Sequence, residues 1–293
     1  MSKFIKAFEL AEQERALRRP PGPSELLSEP GPTVPETVPD QALRSFVEAP
    51  RGVANGLEEH LVSLLEPTSF EAEQYRVLRH LIEQLHKSAA LSAVAISSPG
   101  VADGKTTTAI NLAGALAQAH DARVLLVDAD LRRPALATRL GLSNRPGLAD
   151  AILDGNLTLE AVVQVRSPLN LSVLPAGRPP SAPYEVLKSL RVGELLAEAR
   201  RQYDYIVLDT PPLVSVLDGR VLAKLVDGFL LIVTAHRTAR KLLEEALHIT
   251  EPAKIVGLVF NGDDRHLSRD TYNSYTSRRF LSRNGRRQTA SDV

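Results

Sequence analysis

Apolar residues in this chain fall into short unbroken runs, and stretches with helical spacing separate them. Ala93–Ile96, Val124–Asp128, Leu171–Leu174, Tyr205–Asp209, Gly228–Thr234 and Ile255–Phe260 are rich in Val, Ile and Leu, as strands buried on both faces are. Helical patterns fill the gaps: Ser69–His86, Lys105 to about Gln118, Ala135–Leu140, Leu148–Leu153, Tyr184–Gln202 and Ala239–Ile249. Ser69 stands where it can cap the first of these, with Glu71 and Glu73 in its opening turns. Strands alternating with helices predict an α/β fold, a mostly parallel sheet flanked by helices with right-handed crossovers. The pattern divides the chain into four parts. Residues 1–19 read as a short amphipathic helix (Phe4, Ile5, Phe8, Leu10, Leu17) ended by Pro20-Pro21, either a docking segment or a fraying terminus. Residues 20–65 are rich in Pro, Glu and Ser and predict a disordered linker. Residues 66–262 carry the α/β alternation, and 263–293 form a polar, basic, flexible tail containing Tyr272 and Tyr275.

Chemistry enters at the strand ends. After the first strand, Gly100–Gly104 forms a loop and Lys105-Thr106-Thr107 opens a helix. Triphosphate binding needs backbone N–H groups wrapped around the phosphates, with glycines to let the backbone approach and a helix N-terminus to supply unpaired donors. Gly100, Asp103, Gly104, Lys105, Thr106 and Thr107 are therefore the predicted phosphate-binding residues. Lys105 reaches the β- and γ-phosphates and the Thr106 hydroxyl ligates Mg²⁺. The strict motif places glycine where Pro99 stands, and Gly100 is displaced from it by one residue. The second strand ends in Asp128-Ala129-Asp130, a period-2 spacing that sets both carboxylates on one side of an extended chain. Two carboxylates beside a triphosphate repel it unless a cation intervenes, so Mg²⁺ is implied; the bland alternative is a cap for the next helix. A further strand ends in Asp209-Thr210-Pro211-Pro212, where Asp209 can hold Mg²⁺ through water or orient the γ-phosphate. Asn261 ends the last strand and is read either as an adenine contact or as a turn residue.

Composition narrows the possibilities. Formal net charge is zero and aromatic residues are 4 % with no Trp, which leaves neither a global field nor a stacking platform for nucleic acid. With no cysteine, disulfides and thiolate metal sites are excluded. No apolar run approaches the roughly 18 residues of a membrane helix, and Met1-Ser2-Lys3 opens no signal peptide.

The Gly-Lys-Thr loop, VLLVDADLRRP (Val124–Pro134) and YIVLDTPP (Tyr205–Pro212) together resemble the bacterial tyrosine kinases of capsule and exopolysaccharide synthesis, which are built on the MinD/ParA-like branch of P-loop NTPases. Further segments match in order: Arg145–Asp150, Leu174–Pro180, Glu185–Ser189, Asp218 and Gly257–Asn261. The signature Lys of the MinD/ParA ATPases, five residues before the universal one, is Gly100 here. The resemblance implies an ATP- and Mg²⁺-dependent protein-tyrosine autokinase. Lys105, Asp128, Asp130 and Asp209 would be catalytic, Asp128 as base, with Thr106, Asp130 and Asp209 at the metal and Tyr272 and Tyr275 as phosphoacceptors. Arg132 would support the γ-phosphate or form a structural salt bridge. Glu73, Arg76 and Arg79 follow the Glu-x-x-Arg-x-x-Arg pattern that builds a homo-oligomeric ring in the family; the alternative is intrahelical pairing. Without a membrane helix of its own, the chain would work with a separate membrane activator of the polysaccharide chain-length type, at the cytoplasmic face of the membrane. A MinD/ParA-like ATPase switch and a non-catalytic export scaffold are the competing expectations.

Overall fold

The computed structural model describes residues 57–142, 146–166 and 171–262. The expected N-terminal helix, most of the linker, the tail and both candidate phosphoacceptors lie outside the described residues.

In chain order the elements are α1 (Val62–Leu65), α2 (Phe70–Ala89), β1 (Ala93–Ser97), α3 (Lys105–Ala117), β2 (Val124–Asp128), α4 (Leu136–Arg139), α5 (Leu148–Leu153), α6 (Leu159–Val162), β3 (Gln164–Arg166), β4 (Leu171–Leu174), α7 (Pro183–Lys188), α8 (Leu190–Gln202), β5 (Tyr205–Asp209), α9 (Asp218–Leu222), β6 (Gly228–Thr234), α10 (Arg240–Ile249) and β7 (Ile255–Asn261). A 3₁₀ turn, Pro252–Lys254, precedes the last strand. The seven strands form one sheet in the order β3-β4-β2-β5-β1-β6-β7. All pairings are parallel except β3 with β4. Two apolar cores cover the two faces, one beneath α8 and the other beneath α2 and α3. Burial on both faces is why the central strands read as continuous apolar runs rather than as alternations.

Two expectations need correction, and one strand is new. The linker does not extend to residue 65. Asn111 on α3 accepts from Ser63 N at 2.9 Å and donates to His60 O at 2.9 Å, and Leu61 is fully buried. A Cβ on Gly114 would stand 2.5 Å from Leu64 Cδ2, so α1 seats on a glycine of α3 and belongs to the domain. The helix expected over Tyr184–Gln202 is two helices. Ser189 leaves the helical region (φ −58°, ψ 142°) and its hydroxyl accepts from Arg191 N, so it caps a new helix in the middle of an uninterrupted apolar period. The antiparallel β3, only three residues long, carries too little pattern to be read.

The end of the sheet away from the strand carboxyl termini is tied by Asp227. It accepts from Ser92 N at 2.9 Å and Ala93 N at 2.8 Å, and both oxygens take an Arg200 guanidinium nitrogen at 2.8 Å. Burial pushes this carboxyl up, but the hydrogen bonds from Arg200 and the two backbone donors outweigh it and hold it at about 2, against an ordinary 3.8. A depressed acid stabilises the fold above its unfolded-state value and loses that contribution as pH falls through its folded value. Asp227 is exposed, so solvent screens the pair and Asp227→Asn is expected to cost only about 1 kcal/mol near neutral pH. Denaturant unfolding should show that difference constant above about pH 5 and shrinking as pH falls from about 4 toward 2.

Candidate active site

β2, β5 and β1 are neighbours in the sheet, so the three motifs sit at the carboxyl ends of three adjacent strands. That end is where ligands bind in open α/β sheets. Asp128 and Asp209 are register partners, and Asp209 is also paired with Ile96 on β1.

The loop from Ser98 to Gly104 is shaped by its own side chains. Ala102 (φ 60°) and Gly104 (φ 91°) are left-handed. Asp103, expected to face nucleotide, is 3 % exposed with its carboxylate already engaged. Oδ2 accepts from Gly100 N at 3.2 Å, and Oδ1 accepts from the hydroxyls of Thr234 (3.0 Å), the last residue of β6, and Thr238 (2.8 Å) in the turn that follows. Arg237 from the same turn donates to Ala102 O. Asn261 also acts on the loop: its amide donates to Asp103 O at 3.1 Å, and a Cβ on Gly104 would fall 2.1 Å from that amide nitrogen. Both residues therefore shape the phosphate loop. Lys105 opens α3 and is buried. The Thr106 hydroxyl lies near enough to Asp209 to pull its carboxyl downward, and Thr107 Oγ1 accepts from Arg139 Nη1 at 2.8 Å.

The carboxylates are held differently. Asp128 is fully buried, and its Oδ2 accepts from Ala135 N and Leu136 N, both at 3.0 Å, capping α4. Asp130 is 9 % exposed and accepts from Arg133 N at 3.0 Å. Asp209 is 1 % exposed. Among the described residues, Asp128 Oδ1 and Asp209 Oδ1 are buried without a hydrogen-bond donor. Burial, despite the α4 cap, raises the Asp128 carboxyl to about 6. Burial and the neighbouring Asp128 charge raise Asp209 to about 7, against the pull of Thr106 and Lys105. Two adjacent buried carboxylates with unmatched oxygens cost stability unless a cation is shared between them. Asp130 and the Thr106 hydroxyl add further oxygen donors, the ligand chemistry Mg²⁺ takes, although among the described residues no three carboxylates are already drawn together as a metal cage.

Arg132 forms the structural alternative: Nε and Nη2 grip Asp218 at 2.7 and 3.1 Å, and Asp218 is fully buried at the start of α9. On α2, Arg76 bonds Glu73 and Pro67 O. Arg79 bonds Glu83 at 2.6 Å and caps the carboxyl end of α3 through Ala115 O at 3.0 Å. Thr234, Thr238 and Arg139 were invisible in the sequence; each lies far along the chain from its partner with no spacing to mark it.

A family model described as AAA domain matches residues 92–251. Tyrosine-protein kinase YwqD of Bacillus subtilis (strain 168) is 35 % identical over 208 residues, covering 70 % of this chain and 87 % of YwqD. Succinoglycan biosynthesis transport protein ExoP of Rhizobium meliloti (strain 1021) is 33 % identical over 204 residues, 68 % of this chain but only 26 % of ExoP. Among solved structures, the kinase domain of the Escherichia coli tyrosine kinase ETK superposes with a TM-score of 0.64 at 27 % identity, covering 80 % of this chain and 84 % of that one. The mostly parallel sheet flanked by helices is the α/β architecture the strand and helix pattern predicts. With the phosphate loop, the Asp-x-Asp motif and Asp209 at the carboxyl ends of three adjacent strands, these likenesses establish that the chain belongs to the bacterial tyrosine kinase family.

Proposed function

We propose that this chain is an ATP-dependent protein-tyrosine autokinase serving capsule or exopolysaccharide synthesis and export. The observation that carries the reading is the pair of carboxylate oxygens, Asp128 Oδ1 and Asp209 Oδ1, that have no donor among the described residues and stand at neighbouring strand ends. Lys105 and the loop amides bind the β- and γ-phosphates. Thr106, Asp130 and Asp209 hold Mg²⁺, which when bound neutralises charge on the phosphates. The tyrosine oxygen attacks the γ-phosphorus as the bond to the β-phosphate oxygen breaks, and ADP leaves. Asp128 Oδ1 takes the phenolic proton; its Oδ2 is tied to α4, which fixes the carboxyl in place.

Tyr272 and Tyr275 are the proposed acceptors. Arg76, Glu73 and the exposed Val77 on α2 are proposed to meet a second copy in a ring, which would bring one tail to the next copy's site; Arg79, docked on α3, fixes that helix. A separate membrane activator of the chain-length type would place the protein at the cytoplasmic face. Among the described residues no helix is long and apolar enough to cross a membrane.

The test is incubation of the full chain with ATP and Mg²⁺ followed by mass-spectrometric mapping. Phosphotyrosine at Tyr272 or Tyr275 is expected in the wild type. It should be absent from Lys105→Met and from the tail of the Tyr272→Phe/Tyr275→Phe double variant. Tail phosphorylation undiminished in the double variant would sink the acceptor assignment. ATP turnover with no phosphotyrosine, even with a membrane activator added, would move the protein to an ATPase switch.

A further inference from the structure

Arg139 was not among the expected site residues, yet its guanidinium lies at the nucleotide end of α3. Nη1 donates to Thr107 Oγ1 at 2.8 Å and stands 3.3 Å from Glu58 Oε2. Thr107 is the third residue of a 13-residue helix whose first N–H groups face the phosphate loop. Along the chain, Lys105 serves the terminal phosphates and Thr106 the metal. In such a loop the backbone N–H groups cradle the nucleoside-side phosphate as well as the β-phosphate, and Thr107 is the next residue of that phosphate-binding run. A hydroxyl that accepts from a guanidinium keeps its own proton to give to a phosphate oxygen. The guanidinium has further N–H donors beyond the one spent on Thr107.

The placement does not depend on a ligand. Asp128 Oδ2 pins the first N–H groups of α4, Arg139 N closes that turn on Ala135 O at 3.0 Å, and the side chain leaves from its last residue. Among the described residues the carboxylate paired with it is Glu58, about half exposed, and a pair so exposed is weak. Nothing in the phosphoryl-transfer scheme above uses this cation.

We infer that Arg139 binds the nucleoside-side phosphate of the bound nucleotide together with Thr107, and that Glu58 holds the guanidinium until the nucleotide takes it over. The inference rests on the ATP reading of the same loop and adds to it a residue shared by ATP and ADP binding.

Calorimetric titration of the full chain with ADP and with ATP, each with Mg²⁺, tests it. Arg139→Ala is expected to weaken both nucleotides by about tenfold and to a similar degree, the worth of a charge-assisted hydrogen bond. Arg139→Lys should recover part of the loss. Glu58→Gln, which removes the competing carboxylate, should bind at least as tightly as the wild type. Melting of the ligand-free variants separates a damaged fold from a lost contact. An Arg139→Ala protein that melts like the wild type and binds both nucleotides within about twofold of it overturns the assignment. So does a Glu58→Gln loss equal to that of Arg139→Ala, because the pair would then be supporting the loop rather than waiting for phosphate. A wild type that binds no nucleotide overturns the ATP reading and this inference together; binding by the wild type with no effect of Arg139→Ala overturns the inference alone.

Discussion

Asp209→Asn is expected to abolish autophosphorylation and, in the same molecule, to raise the melting temperature of the ligand-free protein. Asp209 is 1 % exposed, its Oδ1 has no donor among the described residues, and its register partner Asp128 is a second buried carboxylate. Its carboxyl rises to about 7 because burial and that neighbour both oppose its charge. A raised acid binds more protons folded than unfolded, so its penalty grows as pH climbs above its unfolded value and is largest above about 7. The isosteric amide removes the penalty. For a domain of this size each kcal/mol moves melting by about 2–4 °C, so a rise of about 5 °C is expected at pH 8, with a smaller gain at pH 5. Differential scanning fluorimetry and phosphotyrosine mapping read the two effects. A variant that is both inactive and less stable would show that Asp209 is a structural acid whose loss breaks the strand end.

Gly104→Ala is expected to lower nucleotide affinity by about two orders of magnitude, the scale on which misplacing a binding group by an ångström acts. Two penalties combine. The left-handed φ of 91° costs a side chain about 1–2 kcal/mol. The added Cβ also lands 2.1 Å from the Asn261 amide that donates to Asp103 O. To make room the amide must withdraw, and the loop loses its tie to the end of β7. Equilibrium binding of ADP measures the loss. Asn261→Gly in the Gly104→Ala background removes the collision and leaves the backbone strain, so partial recovery is expected. No recovery would place the whole effect in the dihedral angle.

The strands whose carboxyl ends build the site were legible because each is buried on both faces and therefore apolar throughout, and their terminal aspartates could be read directly. Partnership was not legible. Asp103 looks like any phosphate-loop residue until Thr234 and Thr238, more than 130 residues away, are seen donating to it. Asn261 was known to end a strand, but only the sheet order brings that end against Gly104. Arg139 sits on a helix of four residues, too short for a periodic signal. The break at Ser189 escaped because a serine cap inside an unbroken apolar period looks like one more polar helix position. Asp128 takes the capping role weighed for it, through one oxygen on α4; its other oxygen, without a donor among the described residues, is the one the proposed mechanism uses.

Asn261 bolts the phosphate loop, and the chain leaves the sheet one residue later, at Gly262. The tail is thus rooted beside the proposed triphosphate site. Tyr272 and Tyr275 lie 11 and 14 residues beyond Asn261, a contour of about 35–50 Å when extended. On the proposed reading the acceptor reaches a neighbouring copy's site on a leash of that length, and the ring holds it there at an effective concentration of about millimolar. A catalytic crevice supplied in this way needs almost no intrinsic affinity for a tyrosine peptide. Substrate choice would then reside in what is covalently attached or held alongside in an assembly, and the crevice could remain shallow and indifferent to the residues flanking the phenol.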